Sequence, residues 1–226
     1  MDGKPLLAVR PFRAPHHTIS EAGLVGGGSN PQPGEVSLSH NGVLFLDELP
    51  EFNRRTLEVL RQPMEDRTVT IARAMQTVTY PSNFMLVAAM NPCPCGYYTD
   101  PKHECRCTPN RISQYRSKIS GPLLDRIDIH LDVPSINYRE LSDARPGTSS
   151  EEMAHVVRVA REVQRERFSG RPIFCNSHMN TRDIKRFCGL DDASESLLRH
   201  AIDELNFSAR AYHKICLLYT SPSPRD

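Results

Sequence analysis

Apolar residues gather in short continuous runs over the first part of the chain. Residues 43–47 are four apolar residues and an aspartate, and residues 84–90 are a second apolar run that ends before Asn91. Residues 129–133 form a further segment of this kind, closed by Pro134. Short apolar runs bounded by polar or turn residues are typical of strands buried in a parallel sheet. We therefore predict three such strands.

A helix and a β-hairpin are predicted between the first two strands. Residues 54–62 place apolar positions on one side of a helix, which Pro63 is expected to end. β-branched and polar residues alternate over 68–72 and 77–80, which indicates two paired strands. This order of elements predicts an α/β fold with a parallel sheet. Residues 1–34, rich in proline and glycine, predict loops with one short helix near 20–25.

The character of the sequence changes after Pro134. Ser149 and Glu152 form a capping-box pattern, and apolar residues at helical spacing follow it. The remaining pattern predicts four helices over residues 150–215, with Ser208 opening the last. The predicted limits are 1–140 for a core, 141–150 for a linker, 151–215 for a small helical domain, and 216–226 for a disordered tail foreign to the natural gene.

Composition indicates a soluble globular protein. The 226 residues are 38% hydrophobic and 24% charged, with a net charge of +1 that gives no whole-chain argument for nucleic-acid binding. No apolar run approaches the ~20 residues of a membrane span. The seven cysteines are an odd number and the first residues do not resemble a signal peptide, so we expect a cytoplasmic protein.

Two carboxylates follow the first predicted strand. Asp47 and Glu48 would emerge at its carboxyl end, where α/β sheets bind ligands. Asp47 would hold Mg²⁺, since hard cations prefer oxygen ligands, and Glu48 would orient and polarise an attacking water. The alternative is a strand that simply ends in acidic residues at the surface.

Two more polar residues lie at the ends of predicted strands. If the first two strands are neighbours, Asn91 lies beside Glu48 and can hydrogen-bond the water or a γ-phosphate. Arg126 precedes the third predicted strand, and an exposed arginine there could reach a phosphate in a neighbouring subunit. The alternative for Arg126 is a surface pair with Asp125 or Asp128.

Four cysteines lie within fifteen residues, as Cys93, Cys95, Cys105 and Cys107. Four thiolates match a tetrahedral Zn²⁺ site, for which His103 is an alternative ligand. Because the spacing is Cys-x-Cys rather than the commoner Cys-x-x-Cys, reduced thiols on an insertion loop remain the alternative.

Two adjacent histidines, His16 and His17, form a local basic patch with Arg10 and Arg13. We expect this loop to contact nucleotide, DNA or a neighbouring subunit, the alternative being solvated surface.

Taken together, these segments resemble the magnesium-chelatase-like AAA+ ATPases of the ComM/YifB type. The resemblance is carried by residues 10–17, 26–31, 42–52, 87–96 and 119–128. It implies a P-loop αβα core with a helical lid, and it implies that residues 68–80 are the hairpin that points into the pore of a ring. It also implies roles for single residues: Asp47 and Glu48 as Walker B, Asn91 as sensor 1, Arg126 as the arginine finger, and Arg210 as sensor 2.

The same resemblance implies ATP and Mg²⁺ as cofactors and a homo-oligomeric ring, expected to be a hexamer. Its expected role is that of a DNA helicase in branch migration, recombination or natural transformation. Two alternatives remain: the ATPase subunit of a metal chelatase, and a zinc-knuckle binding module without catalysis.

The chain departs from this family pattern in one respect. It contains no Gly-x-x-x-x-Gly-Lys-Ser/Thr sequence, the loop that cradles phosphates in P-loop proteins. In the family that loop lies upstream, so we expect that Met1 is not the natural start and that this fragment alone is inactive.

Overall fold

A computed structural model of the chain describes residues 9–73, 76–134, 147–205 and 208–219. The chain divides into two compact units between residues 135 and 136. The first combines strands and helices around a parallel sheet, and the described part of the second is helical. This confirms the predicted fold class, whereas the predicted domain limits stay a prediction. Across the four ranges, no helix has the length and apolar character needed to cross a membrane.

The first unit contains short strands and short helices. The strands are β1 (Phe12–Arg13), β2 (Gly26–Gly27), β3 (Gln32–Pro33), β4 (Val43–Leu46), β5 (Thr68–Ala72), β6 (Thr77–Pro81) and β7 (Met85–Ala88). The helices are α1 (Glu21–Val25), α2 (Glu35–Leu38), α3 (Arg54–Glu58), α4 (Arg61–Asp66), α5 (Pro109–Arg116) and α6 (Gly121–Leu124), with a 3₁₀ turn at Leu49–Glu51. Ser20 caps α1 by accepting a hydrogen bond from the Gly23 amide, so the short helix predicted near 20–25 is confirmed.

Three parallel strands in the order β1-β4-β7 form the sheet. The central strand, β4, buries Leu44 and Leu46 completely. Strand β7 pairs with β4 along its whole length, with Leu46 opposite Ala88. The first two predicted strands are therefore confirmed, and they are neighbours.

The strand predicted at residues 129–133 is wrong. Residues 127–134 have no helix or strand, and Ile129, Leu131 and Val133 are 62%, 81% and 88% exposed. Within the described chain no partner strand or helix covers these apolar side chains, so the pattern alone does not create a strand.

The third strand of the sheet is β1, from the start of the chain, and not the segment predicted at residues 129–133. The amide of Val43 donates to the carbonyl of Pro11 at 2.8 Å. This approach requires glycine at position 42, because a Cβ there would lie 1.9 Å from the Pro11 oxygen. The sequence predicts a loop for this segment, because the three residues between Pro11 and Pro15 are too few to show a strand pattern.

One face of the sheet is packed and the other is partly open. Leu44, Leu46 and Leu86 join the core, whereas Met85 and Val87 on the opposite face are 59% and 39% exposed. The strand predicted within residues 84–90 is therefore present, but the prediction that this run is buried is wrong for one face of the strand. The described residues supply packing for only one side of β7.

Two helices replace the single helix predicted over residues 54–62. Helix α3 ends at Glu58, and Pro63 lies buried within the first turn of α4. The prediction that Pro63 ends a helix is wrong, because the first turn of a helix does not need the amide that proline lacks.

The predicted hairpin is confirmed as the antiparallel pair β5 and β6. Thr70 and Thr79 face each other in this pair, with their hydroxyl oxygens 2.9 Å apart. Val69 and Ile71 on the other face of β5 are buried in the core. The alternation of residues along β5 therefore reflects its packing, because one face of the strand is buried in the core and the other is not.

The described residues of the second unit form the four predicted α-helices and a 3₁₀ turn at Asn176–His178. The helices are α7 (Ser150–Arg167), α8 (Thr181–Phe187), α9 (Asp192–Leu205) and α10 (Ala209–Tyr219). The capping box of α7 is confirmed: the Ser149 side chain accepts from the Glu152 amide, and the Glu152 carboxylate accepts from the Ser149 amide at 2.7 Å. Nevertheless α7 buries none of its residues. The apolar residues buried in the described part of this unit are Phe168, Met179, Ile184, Cys188, Leu198 and Cys216.

Replacing Leu46 by alanine is expected to destabilise the first unit by about 2–5 kcal/mol, because the change empties a fully buried site. Urea unfolding measures this loss. Leu38→Ala is the control: Leu38 is 45% exposed, and its change should cost less than about 1 kcal/mol. Equal losses in the two variants would contradict a buried β4.

Candidate functional site

Asp47 and Glu48 leave the carboxyl end of β4 beside the carboxyl end of β7. The ladder between these strands continues past both, because the amide of Leu49 donates to the carbonyl of Ala89 at 2.9 Å. Asn91 follows two residues later on the β7 side, and both carboxylates are exposed. The structure thus brings the strand ends that carry these residues to one edge of the sheet.

The backbone turns sharply at Glu48. Its φ of 52° and ψ of 46° are left-handed, and its amide donates to Asp47 Oδ1 at 2.8 Å. A left-handed conformation costs a non-glycine residue about 1–2 kcal/mol. The burial of Leu49 and Pro50 in the following 3₁₀ turn offsets this cost. The turn ends the strand and leaves two successive carboxylates at the surface.

His17 contacts Glu48 directly. Its Nδ1 lies 3.2 Å from Glu48 Oε2, and its ring meets Phe52 edge-on with ring centroids 6.3 Å apart. The imidazole is therefore held between the core and the carboxylate. The sequence marks His17 as part of a basic patch but does not predict this pair, because the pairing of β1 with β4 has no local sequence signal.

The arginines of the predicted basic patch have partners within the chain. Arg13 forms an ion pair with Glu35 at 2.5 Å, and the hydrogen bond with this carboxylate raises the pKa of Arg13. Arg10 donates to the carbonyl of Asn41 at 2.9 Å. Both arginines thus help to hold the β1 segment, and a contact with nucleotide, DNA or another subunit stays a prediction.

Tyr115, on α5, is a residue of this edge that the sequence did not reveal. It is 7% exposed, and its pKa is raised by burial, then by the carboxylate of Glu51 and, more weakly, of Glu48. A backbone hydrogen bond with Asn91 acts in the opposite direction. No motif surrounds Tyr115 in the sequence, so no local signal marks it as a residue of this site.

Arg126 differs from the expectation of an exposed arginine. Its Nη2 lies 2.6 Å from Glu65 Oε1, and its side chain is 11% exposed. Its Nη1 donates to the carbonyl of Pro122 at 2.5 Å. Glu65, on α4, is thus an ion-pair partner of Arg126 that the sequence did not predict. The arginine-finger role of Arg126 stays a prediction.

Arg210 lies in the second unit, near the start of α10. The Ser208 hydroxyl accepts a hydrogen bond from the Ala211 amide at 3.2 Å, so the predicted helix start at Ser208 is confirmed. Arg210 itself is exposed. Its role as sensor 2 stays a prediction.

Four cysteine thiols converge at the end of β7. The sulfur of Cys93 lies 3.3 Å from that of Cys95 and 3.7 Å from that of Cys105, and Cys95 and Cys105 are 3.6 Å apart. The sulfur of Cys107 completes the cluster, and all four sulfurs lie within 4.8 Å of one another. Four thiolates around Zn²⁺ at about 2.3 Å would be about 3.8 Å apart, so these distances fit a metal site.

The surroundings of the cluster act on the thiols in opposite directions, and burial together with the neighbouring Cys95 and Cys93 thiols raises the pKa of Cys105 to about 12. A backbone hydrogen bond from Tyr97, together with the Cys93 thiol, lowers the pKa of Cys95 to about 6. Burial raises the pKa of Cys107. The alternative ligand His103 is not part of the cluster, because it is 61% exposed and its Nδ1 lies 3.0 Å from Asp100 Oδ2.

Comparisons with known proteins agree with this architecture. The family described as "Magnesium chelatase, subunit ChlI" matches residues 1–141, and "Magnesium chelatase, subunit ChlI C-terminal" matches residues 147–218. Competence protein ComM of Haemophilus influenzae is 46% identical over 91% of this chain and 40% of its own length. YifB of Escherichia coli is 44% identical over the same shares. The chain thus spans about two fifths of the length of these relatives.

A more distant similarity is found to a eukaryotic protein. DNA replication licensing factor Mcm6 of Drosophila melanogaster is 28% identical over 43% of this chain and 11% of its own length. The two family matches, by contrast, cover nearly all of the chain. With the parallel sheet and the helical second unit, they show that the chain belongs to the magnesium chelatase ChlI family, among relatives of the ComM and YifB type.

Proposed function

We propose that the protein hydrolyses Mg·ATP at the edge formed by β4 and β7, as one subunit of a ring-forming AAA+ motor that acts on DNA. The observation that carries this proposal is the pair of exposed carboxylates, Asp47 and Glu48, beside the segment that leads to Asn91. Phosphoryl transfer depends on positioning and charge rather than on covalent chemistry by the protein. A rigid sheet edge that carries carboxylate and amide groups meets that need.

The roles of the three residues follow from their chemistry. Asp47 offers carboxylate oxygens to Mg²⁺, which when bound would neutralise charge on the phosphates. Glu48 would orient and polarise the attacking water, and His17 would restrain the Glu48 side chain through their 3.2 Å contact. The amide of Asn91 would hydrogen-bond the water or the γ-phosphate.

Two arginines complete the proposed site. Arg126 would reach the phosphate bound by a neighbouring subunit, and this requires its ion pair with Glu65 to open. Arg210 would reach the γ-phosphate from the second unit. The family resemblance implies a hexameric ring of identical subunits, in which each subunit would supply its arginine to the site of the next.

The DNA part of the proposal rests on the relatives and on the hairpin. The matched proteins include a competence protein and a DNA replication licensing factor, and these names favour a polynucleotide substrate. Arg73 lies at the end of β5, where its Nε donates to the carbonyl of Gly28 at 3.2 Å. An arginine at the tip side of a hairpin is a candidate phosphate contact.

A second candidate is the ATPase subunit of a metal chelatase, which the description of the matched family favours. Its substrate would be a partner protein that holds a tetrapyrrole. The two candidates share the ATPase chemistry and differ in what stimulates turnover, DNA or the partner.

Glu48→Gln, in the protein at the full length of its relatives, is expected to bind ATP but to lose turnover by about 100-fold or more. Glutamine keeps the size of the side chain but cannot polarise the water as a carboxylate does. Steady-state phosphate release and equilibrium nucleotide binding measure the two properties. Glu51→Gln is the matched control, because Glu51 lies in the same turn and pairs with Lys118 at 3.3 Å. Retained turnover in Glu48→Gln would overturn the assignment.

Arg73→Ala is expected to weaken DNA binding and to lower the slope of log affinity against log salt by about 1, because one phosphate contact is lost. Fluorescence anisotropy at several salt concentrations measures the slope. The control is Arg165→Ala, an exposed arginine that pairs with Glu162 within one helix. Turnover that DNA does not stimulate, with no salt-dependent binding, would favour the chelatase candidate.

A further inference from the structure

The four-cysteine cluster is joined at one end to the edge of the sheet and at the other to helix α5. Cys93 follows Asn91 by two residues, and Cys107 directly precedes Thr108, the N-cap of α5. The Thr108 side chain accepts from the Arg111 amide at 3.3 Å. The loop of residues 93–107 therefore begins at the end of β7 and ends at the start of α5.

Helix α5 returns to the point where this loop began. Arg116 Nε donates to the carbonyl of Pro92 at 3.1 Å, and the Arg116 guanidinium lies 5.1 Å from the centroid of the Tyr98 ring. The loop of residues 93–107 therefore starts and finishes close together: β7 leads into it, and α5, which follows it, contacts Pro92 at its start.

The thiols themselves favour a metal over the other states of four cysteines. All four are free, and the shortest sulfur–sulfur distance, 3.3 Å, is well beyond the about 2.05 Å of a disulfide. Cys93 is fully buried and the other three are partly buried. Four close sulfurs without an ion would repel each other as thiolates, whereas one divalent cation satisfies all four.

We propose that Cys93, Cys95, Cys105 and Cys107 bind one structural Zn²⁺ ion, and that this ion holds the end of β7 against α5 and so positions Asn91. The site is closed, because four sulfur ligands fill the tetrahedral coordination of the ion and leave no open position for substrate. Only the importance of Asn91 rests on the proposed ATPase function; the metal site stands on the sulfur geometry alone.

The metal is tested first on the purified chain, kept reduced, by elemental analysis. About one zinc per chain is expected, and Cys95→Ser/Cys105→Ser should lose most of it. Cys175→Ser is the control, since Cys175 lies in the second unit outside the cluster. Absence of zinc from the wild-type chain, or zinc retained at the wild-type level in the double variant, would overturn the proposal.

Cobalt substitution keeps the test independent of how well the double variant folds. Co²⁺ added to the metal-free wild-type chain should give the charge-transfer and d–d absorption of a tetrahedral thiolate site, and equimolar Zn²⁺ should remove it. A six-coordinate cobalt spectrum would contradict four sulfur ligands.

The positioning role is tested by amide hydrogen exchange with and without a zinc chelator. Removal of the metal is expected to accelerate exchange at residues 88–92 and in α5 several-fold, while α9 in the second unit stays unchanged. If exchange at 88–92 does not change after the metal is removed, the positioning role is rejected. The proposal that the four cysteines bind a metal would not be affected by that result. None of these three measurements uses ATP turnover, so a failure of the proposed ATPase function gives a separate result.

Discussion

The parallel pairing of β4 with β7 is the constraint on which the rest of the first unit depends. Val43 to Leu46 lie opposite Met85 to Ala88, and the ladder continues to the carbonyl of Ala89. Parallel strands end at the same edge of a sheet, so whatever follows each strand meets there. A slip of one residue in this register would turn Leu44 and Leu46 out of the core. The position of the carboxylates is therefore tied to core packing.

A second close approach brings the start of the chain to this edge. Gly42 admits the carbonyl of Pro11, which pairs β1 with β4 and carries His17 to Glu48. The left-handed turn at Glu48 would be unfavourable in an isolated peptide. It is maintained because Leu49 and Pro50 are buried behind it. A strained, exposed carboxylate on a rigid support is a common feature of sites that act on ligands.

The cysteine loop extends the same edge outward. Its first thiol follows Asn91 so closely that any ion held there would restrain the polar residue at the end of β7. The contact of Arg116 with Pro92 closes the loop from the other side. Core packing, the left-handed turn at Glu48 and the thiol cluster thus all constrain the same edge of the sheet, where Asp47, Glu48 and Asn91 lie.

The sequence by itself determined the elements that have strong local signals. Continuous apolar runs located β4 and β7, alternation located the hairpin, and the capping box at Ser149 located α7. Spacing also identified the four cysteines that converge. Tertiary structure decided what depends on distant contacts: the inclusion of β1 in the sheet, the exposure of residues 129–133, the pairing of Arg126 with Glu65, and the placement of Tyr115. Such contacts join residues far apart in sequence, so no local period or composition encodes them.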